Sequence, residues 1–171
     1  RRPPRSTLDR SSAASDVYKR QGYSDPKARD YVIDLGLAMQ LTNILRDIQE
    51  DMELGRVYLP QEELSRYGYT EQQLMAGEIN EDFVRFMEFQ VARARAYFMN
   101  GKRLLKLLPI RTRACPSVIG GIYSRILDRI EENGYDVYER RISLSSREKL
   151  FLMVRLWCQS NFPVERVATA W

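Results

Sequence analysis

Apolar residues recur every three or four positions along most of this chain, and no stretch alternates with a period of two. Ile33, Leu37, Leu41, Ile44, Ile48 and Met52 form one such stripe and predict a buried helix that reaches about Glu53. Asp25-Pro26 marks its start, with an N-cap followed by proline where a missing N–H costs nothing. Gly55 ends it, GRVYLP follows as a tight loop, and Pro60 opens a short helix through Leu64 or Ser65. Thr70 to Gln73 matches a capping box for another short helix. Asn80 caps a long one, with Phe83, Met87, Val91, Ala94, Phe98, Leu105 and Leu108 inward, and Pro109 stops it. A further helix is expected from about Cys115, with Pro116 in its first turn and Val118, Ile122, Ile126 and Ile130 inward. Asn133-Gly134 reads as its C-terminal cap, and Ser145 to Glu148 as a capping box for a last helix to about Ser160. The pattern predicts an all-α bundle.

Composition changes this picture at one end. Residues 1–21 are rich in Ser, Arg and Pro, lack periodicity, and carry six Lys/Arg against two Asp/Glu. They read as a disordered or non-native basic segment, with the folded part expected over 22–171. The remainder holds 21 basic and 21 acidic residues, so the basic pI belongs to the opening segment and no nucleic-acid partner is expected. The longest apolar runs are too short to span a bilayer. Cys115 and Cys158 read as small core residues of a reduced, cytoplasmic protein. The chain has no histidine, which removes Ser-His-Asp and Cys-His chemistry and imidazole metal sites. A metal here would be a hard cation held by oxygen.

The stretch with chemical content is QLTNILRDIQED, residues 40–51. On a helix, Asn43, Asp47 and Asp51 stack along one face at roughly 6 Å per step, and Gln40 joins them. Two carboxylates one turn apart can hold a divalent cation and leave its other positions to water and phosphate, as Mg²⁺ prefers. The bland alternative is a solvated acidic face with pairs such as Arg46–Glu50. Against it stand the two carboxamides and the apolar opposite side, since aspartates aimed into a bundle repel and are costly to desolvate.

QLTNILRDIQEDMELGRVYLP resembles the second aspartate-rich motif of the squalene/phytoene synthase family, close to NxxRDxxEDxxxGRxYLP. The resemblance extends through GYSDPKARDYVIDLGLAMQ, QVARARAYF and GIYSRILDRIEENGYDVYERRISLSSREKL, from Gly22 to about Trp157. It implies the C-terminal half of a type I isoprenoid synthase fold, an all-α partial helical bundle with a central cavity. On that basis Asp47 and Asp51 bind Mg²⁺ that bridges a prenyl diphosphate, with Gln40 and Asn43 on the same wall. Arg46, Arg56 and Tyr58 are then substrate-binding, and Tyr123 faces the cavity. One arginine of Arg140-Arg141 contacts diphosphate, Arg141 being preferred.

The implied reaction joins two prenyl diphosphates, farnesyl or geranylgeranyl, head to head. Presqualene diphosphate, squalene or phytoene is the product, NADPH being needed only for squalene, and the GGIYSRILDRIEENGYDVYERR segment leans towards the bacterial presqualene-forming branch. Oily products imply peripheral membrane contact. The family's first aspartate-rich motif has no counterpart after Gly22, so this polypeptide alone is expected to be inactive. The rival reading is a non-enzymatic helical module whose acidic groove binds a basic partner; it would be indifferent to Mg²⁺ and would tolerate Asp47→Asn.

Overall fold

A computed structural model describes residues 25–160. Eight helices make up its regular structure: α1 (Lys27–Arg46), α2 (Ile48–Glu53), α3 (Gln61–Arg66), α4 (Glu71–Ala76), α5 (Glu81–Gly101), α6 (Leu104–Leu107), α7 (Ile110–Glu132) and α8 (Ser146–Ser160). No strand occurs among the described residues, and no described helix is long and apolar enough to cross a membrane. The all-α expectation holds.

The local start signals act as read. Asp25 Oδ1 accepts the Lys27 N–H at 2.8 Å. Thr70 and Gln73 close a full capping box, and Asn80 Oδ1 accepts the Phe83 N–H at 2.9 Å. Ser145 and Glu148 cap α8 reciprocally, the Glu148 carboxylate taking the Ser145 N–H at 2.9 Å. At the end of α2, Gly55 takes φ +67°, where a side chain would be strained, and the Arg56 N–H bonds Asp51 O at 2.8 Å.

Three helix boundaries differ from expectation. The first helix breaks at Asp47, whose φ −102° and ψ 19° leave helical geometry. Its N–H still reaches Asn43 O and its carbonyl still accepts from Asp51, so α2 continues the ladder of α1 past a local bend. The long helix ends at Gly101 rather than Leu108. Tightened turns at Lys102 and Arg103 then re-aim Leu104, Leu105 and Leu108, and Leu104 and Leu108 pack on Ala28 and Val32. The next helix begins at Ile110, not near Cys115. Thr112 N–H and Oγ1 both bond Pro109 O, and Arg113 Nε donates to Leu108 O at 2.8 Å, so a polar run that reads as linker is the first turn. Pro116 therefore sits inside α7.

The buried line of α1 also differs: it runs through Ala28, Val32, Leu35, Ala38, Thr42 and Leu45. Ile33, Leu41 and Ile44 are only half-buried, and Leu37 is 41% exposed. This helix is apolar on two sides, and packing against α5 selects the side with small residues. Gly101 sets that approach: a Cβ there would lie 2.9 Å from both Leu35 Cβ and Leu35 N. The expected inner line of α5, Phe83, Met87, Val91, Ala94 and Phe98, is buried, as are Ile126 and Ile130 on α7, while Val118 and Ile122 are half-buried. Helix α8 runs back along α7, Leu156 against Gly121 and Glu148 against Arg129. Both cysteines, expected in the core, are exposed, because they fall on the outward sides of α7 and α8.

Candidate functional site

The bend between α1 and α2 organises the charged groups. Arg46 grips the neighbouring Asp47 through two bonds, Nε to Oδ1 at 2.7 Å and Nη2 to Oδ2 at 2.6 Å. Such a fork fixes both carboxylate oxygens in the plane of the guanidinium. Arg141, in the segment between α7 and α8, reaches the same carboxylate, its Nε 3.2 Å from Asp47 Oδ1 and 3.4 Å from Glu50 Oε1. Arg46 is held even more firmly protonated, first by its bond to Asp47 and then by the charges of Asp47 and Glu50, against the opposing effect of burial. Tyr123 is half-buried against the main core.

One turn on, Asp51 has a different environment. Burial, and then the charge of Asp47, raise its carboxyl above the ordinary range, and Arg56 offsets part of this. Asp51, Arg56 and Tyr58 line one small cleft with Ile44, Ile48 and Leu74. One turn before Asp47, Asn43 Oδ1 is buried with no hydrogen-bond partner. Gln40 is half-buried on the same side of α1. Arg140 and Arg141 both line a polar cleft with Arg129, Glu132 and Asn133, but only Arg141 pairs with the acidic face.

This donor set fits a hard divalent cation. A buried amide oxygen without a donor is an unmet acceptor, and a carboxyl raised by a neighbouring carboxylate gains from a cation between them. No group of three or more carboxylate or thiol side chains converges among the described residues. The chain therefore offers two carboxylates and one amide oxygen, with positions left for water and phosphate oxygens.

Sequence reading missed two contributors. Glu50 reads in the sequence as a partner of Arg46 on a solvated face, yet it completes the Arg141 contact. Glu63 on α3 accepts from Gln90 Nε2 at 2.6 Å and from both Nη atoms of Arg93 at 3.0 and 2.7 Å on α5. Arg93 also lies 4.6 Å over the Phe89 ring. The Arg93 bonds are the main reason the Glu63 carboxyl sits below its ordinary range. This clasp fixes α3 to α5, and so anchors the far end of the loop that carries Arg56 and Tyr58. Pairing across some thirty residues of sequence leaves no local signal.

Comparison with known proteins gives the family and the fold. The squalene/phytoene synthase family model matches residues 15–148. The chain is 43% identical over 125 residues to a 15-cis-phytoene synthase of Synechococcus elongatus, covering 73% of this chain and 41% of that protein. Phytoene synthase 1 of Solanum lycopersicum is 36% identical over 135 residues, covering 79% and 33%. Among solved structures, the squalene synthase HpnC of Alicyclobacillus acidocaldarius superimposes with a TM-score of 0.71 at 28% identity, over 74% of this chain and 48% of that one. A dehydrosqualene synthase solved with a ligand gives 0.71 at 26% identity, over 78% and 48%. The chain thus spans about two fifths of the length of the curated relatives it matches. With a matching family model over most of its length and an acidic helix built as described, this chain belongs to the squalene/phytoene synthase family.

Proposed function

We propose that these residues form the diphosphate-binding half of an enzyme that joins two prenyl diphosphates head to head. The observation that carries the reading is the unmet acceptor Asn43 Oδ1, one turn before Asp47 at the bend, with Asp51 one turn beyond it on α2. Asn43, Asp47 and Asp51 would hold Mg²⁺, with Gln40 beside them. Bound there, the cation supplies Lewis-acid neutralisation of the diphosphate as it leaves.

The protein groups do the rest. Arg46 orients Asp47, and Arg141, itself half-exposed, can turn from Asp47 and Glu50 to phosphate oxygens. Arg56 and Tyr58 offer further donors from the loop after α2, and Arg140 adds positive charge in the cleft it shares with Arg141. Tyr123 donates its phenol to the leaving group, and its ring face favours an allylic cation. Below the acidic face, the same side of α1 carries Ile33, Leu37 and Ile44, partly open and apolar, a wall for a prenyl tail. The C–O bond to diphosphate breaks, and a double bond of the second chain attacks the cation. Loss of one proton from the carbon that the diphosphate left closes a cyclopropane; departure of the second diphosphate, rearrangement and loss of a second proton then give the hydrocarbon. Apolar walls keep water from the cation.

A phytoene-type product from geranylgeranyl diphosphate is favoured, because the matched relatives carry that name; it forms without reductant, so NADPH is not required. Contact with a membrane surface follows from so oily a product, and a cytoplasmic setting is part of the same reading. On this reading the 171 residues alone do not turn over, since the match spans only about two fifths of the relatives' length. The test is a complete domain, with these residues joined to the remainder of a relative, incubated with geranylgeranyl diphosphate and Mg²⁺. Phytoene should form, and Asp47→Asn should reduce turnover at least a hundredfold. Unchanged turnover in that variant, or indifference to chelator, would sink the proposal and favour the interaction-module reading.

A further inference from the structure

Residues 133–145, which join α7 to α8, form no helix or strand, yet they deliver Arg141 to the Asp47 carboxylate. An irregular segment holds a long, half-exposed side chain in place only where its own backbone is anchored. Anchors follow one another along this one. Asn133 Nδ2 donates to Asp136 O at 2.6 Å, and Asp136 Oδ1 accepts the N–H groups of Tyr138 and Glu139 at 2.9 and 3.2 Å. Between them Tyr135 takes φ 64°, a left-handed conformation that a bulky residue keeps only where its surroundings impose it. Val137, Ile142 and Leu144 are buried. Tyr138 reaches farthest. Its ring lies 5.7 Å from that of Phe83 on α5 and sits over Gly77 at the end of α4, where an added Cβ would fall 3.3 Å from it. Its hydroxyl donates to Leu74 O of α4 at 3.3 Å, and burial keeps that phenol protonated far above its usual range.

Helix α4 links this anchor to the acidic face. Leu74 is fully buried and lines the cleft that holds Asp51, Arg56 and Tyr58. Tyr138 and Gly77 border a second groove with Val57 and Leu59 of the same loop. We propose that Tyr138 is a positioning residue that holds Arg141 at the acidic face: wedged between Gly77 and Phe83, it ties the irregular segment to the helix that backs the Arg56–Tyr58 cleft. Its consequence for diphosphate binding rests on the functional reading above; its hold on Arg141 does not. The ring carries most of the effect, because it makes the contacts with Gly77 and Phe83, while the hydroxyl bond is at the long end of the range.

The test uses the 171-residue chain and follows the Arg141 Nε–H by heteronuclear NMR, its signal identified by loss in Arg141→Lys. Tyr138→Leu should speed its exchange with solvent roughly fivefold or more, while the amides of α1 and α5 keep their protection. Tyr138→Phe, which keeps the ring, should retain the slow exchange of the wild type. Gly77→Asn tolerates the positive φ and crowds the ring without removing it, so it should speed the exchange about twofold even if Tyr138→Leu does not fold. Unchanged exchange at Arg141 in these variants overturns the proposal. So does an equal loss of protection across α1 and α5, which would make Tyr138 an ordinary core residue. A second arm titrates inorganic diphosphate with Mg²⁺ by calorimetry. Tyr138→Leu should weaken binding about fivefold in the wild-type background and leave it unchanged in Arg141→Ala, since the wedge acts through Arg141; additive losses overturn the proposal. A wild-type chain that binds no diphosphate counts against the functional reading, and the exchange measurement then decides the wedge by itself.

Discussion

Arg141 Nε lies 3.2 Å from Asp47 Oδ1, a contact that closes a loop of 94 residues onto the bend between α1 and α2. Asp47 is thereby shared between Arg46, its sequence neighbour, and an arginine from the far end of the fold. The arrangement distinguishes the adjacent Arg140 and Arg141 by contact, since Arg141 alone of the two pairs with Asp47. In a complete synthase, Arg141→Ala should lower kcat/KM by at least a hundredfold, about 2.7 kcal/mol of transition-state stabilisation. Arg140→Ala should cost less than about tenfold, under 1.4 kcal/mol. Steady-state kinetics on the two variants decides it, and an equal loss in both would remove the distinction.

Asp51 makes the opposite trade. Its carboxyl is raised by burial and by Asp47, so in the metal-free protein its ionised form opposes folding at neutral pH. The sign follows: a raised carboxyl weakens the fold above its ordinary range, and the penalty disappears as pH falls below it. Asp51→Asn should therefore raise the melting temperature of the metal-free chain by roughly 1–3 °C. It should also abolish the added thermal stability conferred by millimolar Mg²⁺ on the wild type. Differential scanning calorimetry with and without Mg²⁺ checks both; a destabilised variant would refute the electrostatic account.

What the sequence disclosed and what it hid divide along a physical line. Thr70 with Gln73, Asn80 with Phe83, and Ser145 with Glu148 are contacts within one turn, where side chain and backbone lie adjacent by covalent geometry. The acidic face was legible for the same reason, as spacing on one helix. The choice between the two apolar sides of α1 was not, because it depends on Gly101 allowing Leu35 to approach from sixty-six residues away. Likewise the outward placement of Cys115 and Cys158 depends on how α8 lies along α7. Glu63 could not be matched to Gln90 and Arg93 without the fold itself.

That close approach is testable at Gly101. A methyl group there would fall 2.9 Å from Leu35 Cβ and from the Leu35 backbone nitrogen, neither of which can swing aside. The gain in helix propensity from glycine to alanine, about 1 kcal/mol, is outweighed by overpacking of about 1–3 kcal/mol or more where backbone must shift. Gly101→Ala should therefore lower denaturation midpoints, whereas Gly36→Ala, with nothing within 4 Å of the new methyl, should not. Urea unfolding of the pair provides the comparison, and a stabilised Gly101→Ala would show that α1 and α5 are less tightly apposed.

Glu148 gives the pH dependence of the last helix. Its carboxyl is lowered to about 2, chiefly by the Ser145 backbone N–H, then by Arg129 and the Ser145 hydroxyl. A depressed carboxyl contributes stability that is complete above its unfolded value of about 4.3. That contribution is lost as pH falls through the folded value. The start of α8 should therefore loosen between about pH 4 and pH 2, ahead of α5, whose cap is the uncharged Asn80. Glu148→Gln keeps the capping geometry but not the charge, so it should flatten this acid dependence while Ser145→Ala weakens the cap at every pH. Amide hydrogen exchange at residues 146–150, followed from pH 6 downward with the intrinsic rates corrected, reads the local opening directly. If protection there falls no sooner than in α5, the cap does not hold the helix, and the packing of Leu156 on Gly121 alone secures α8.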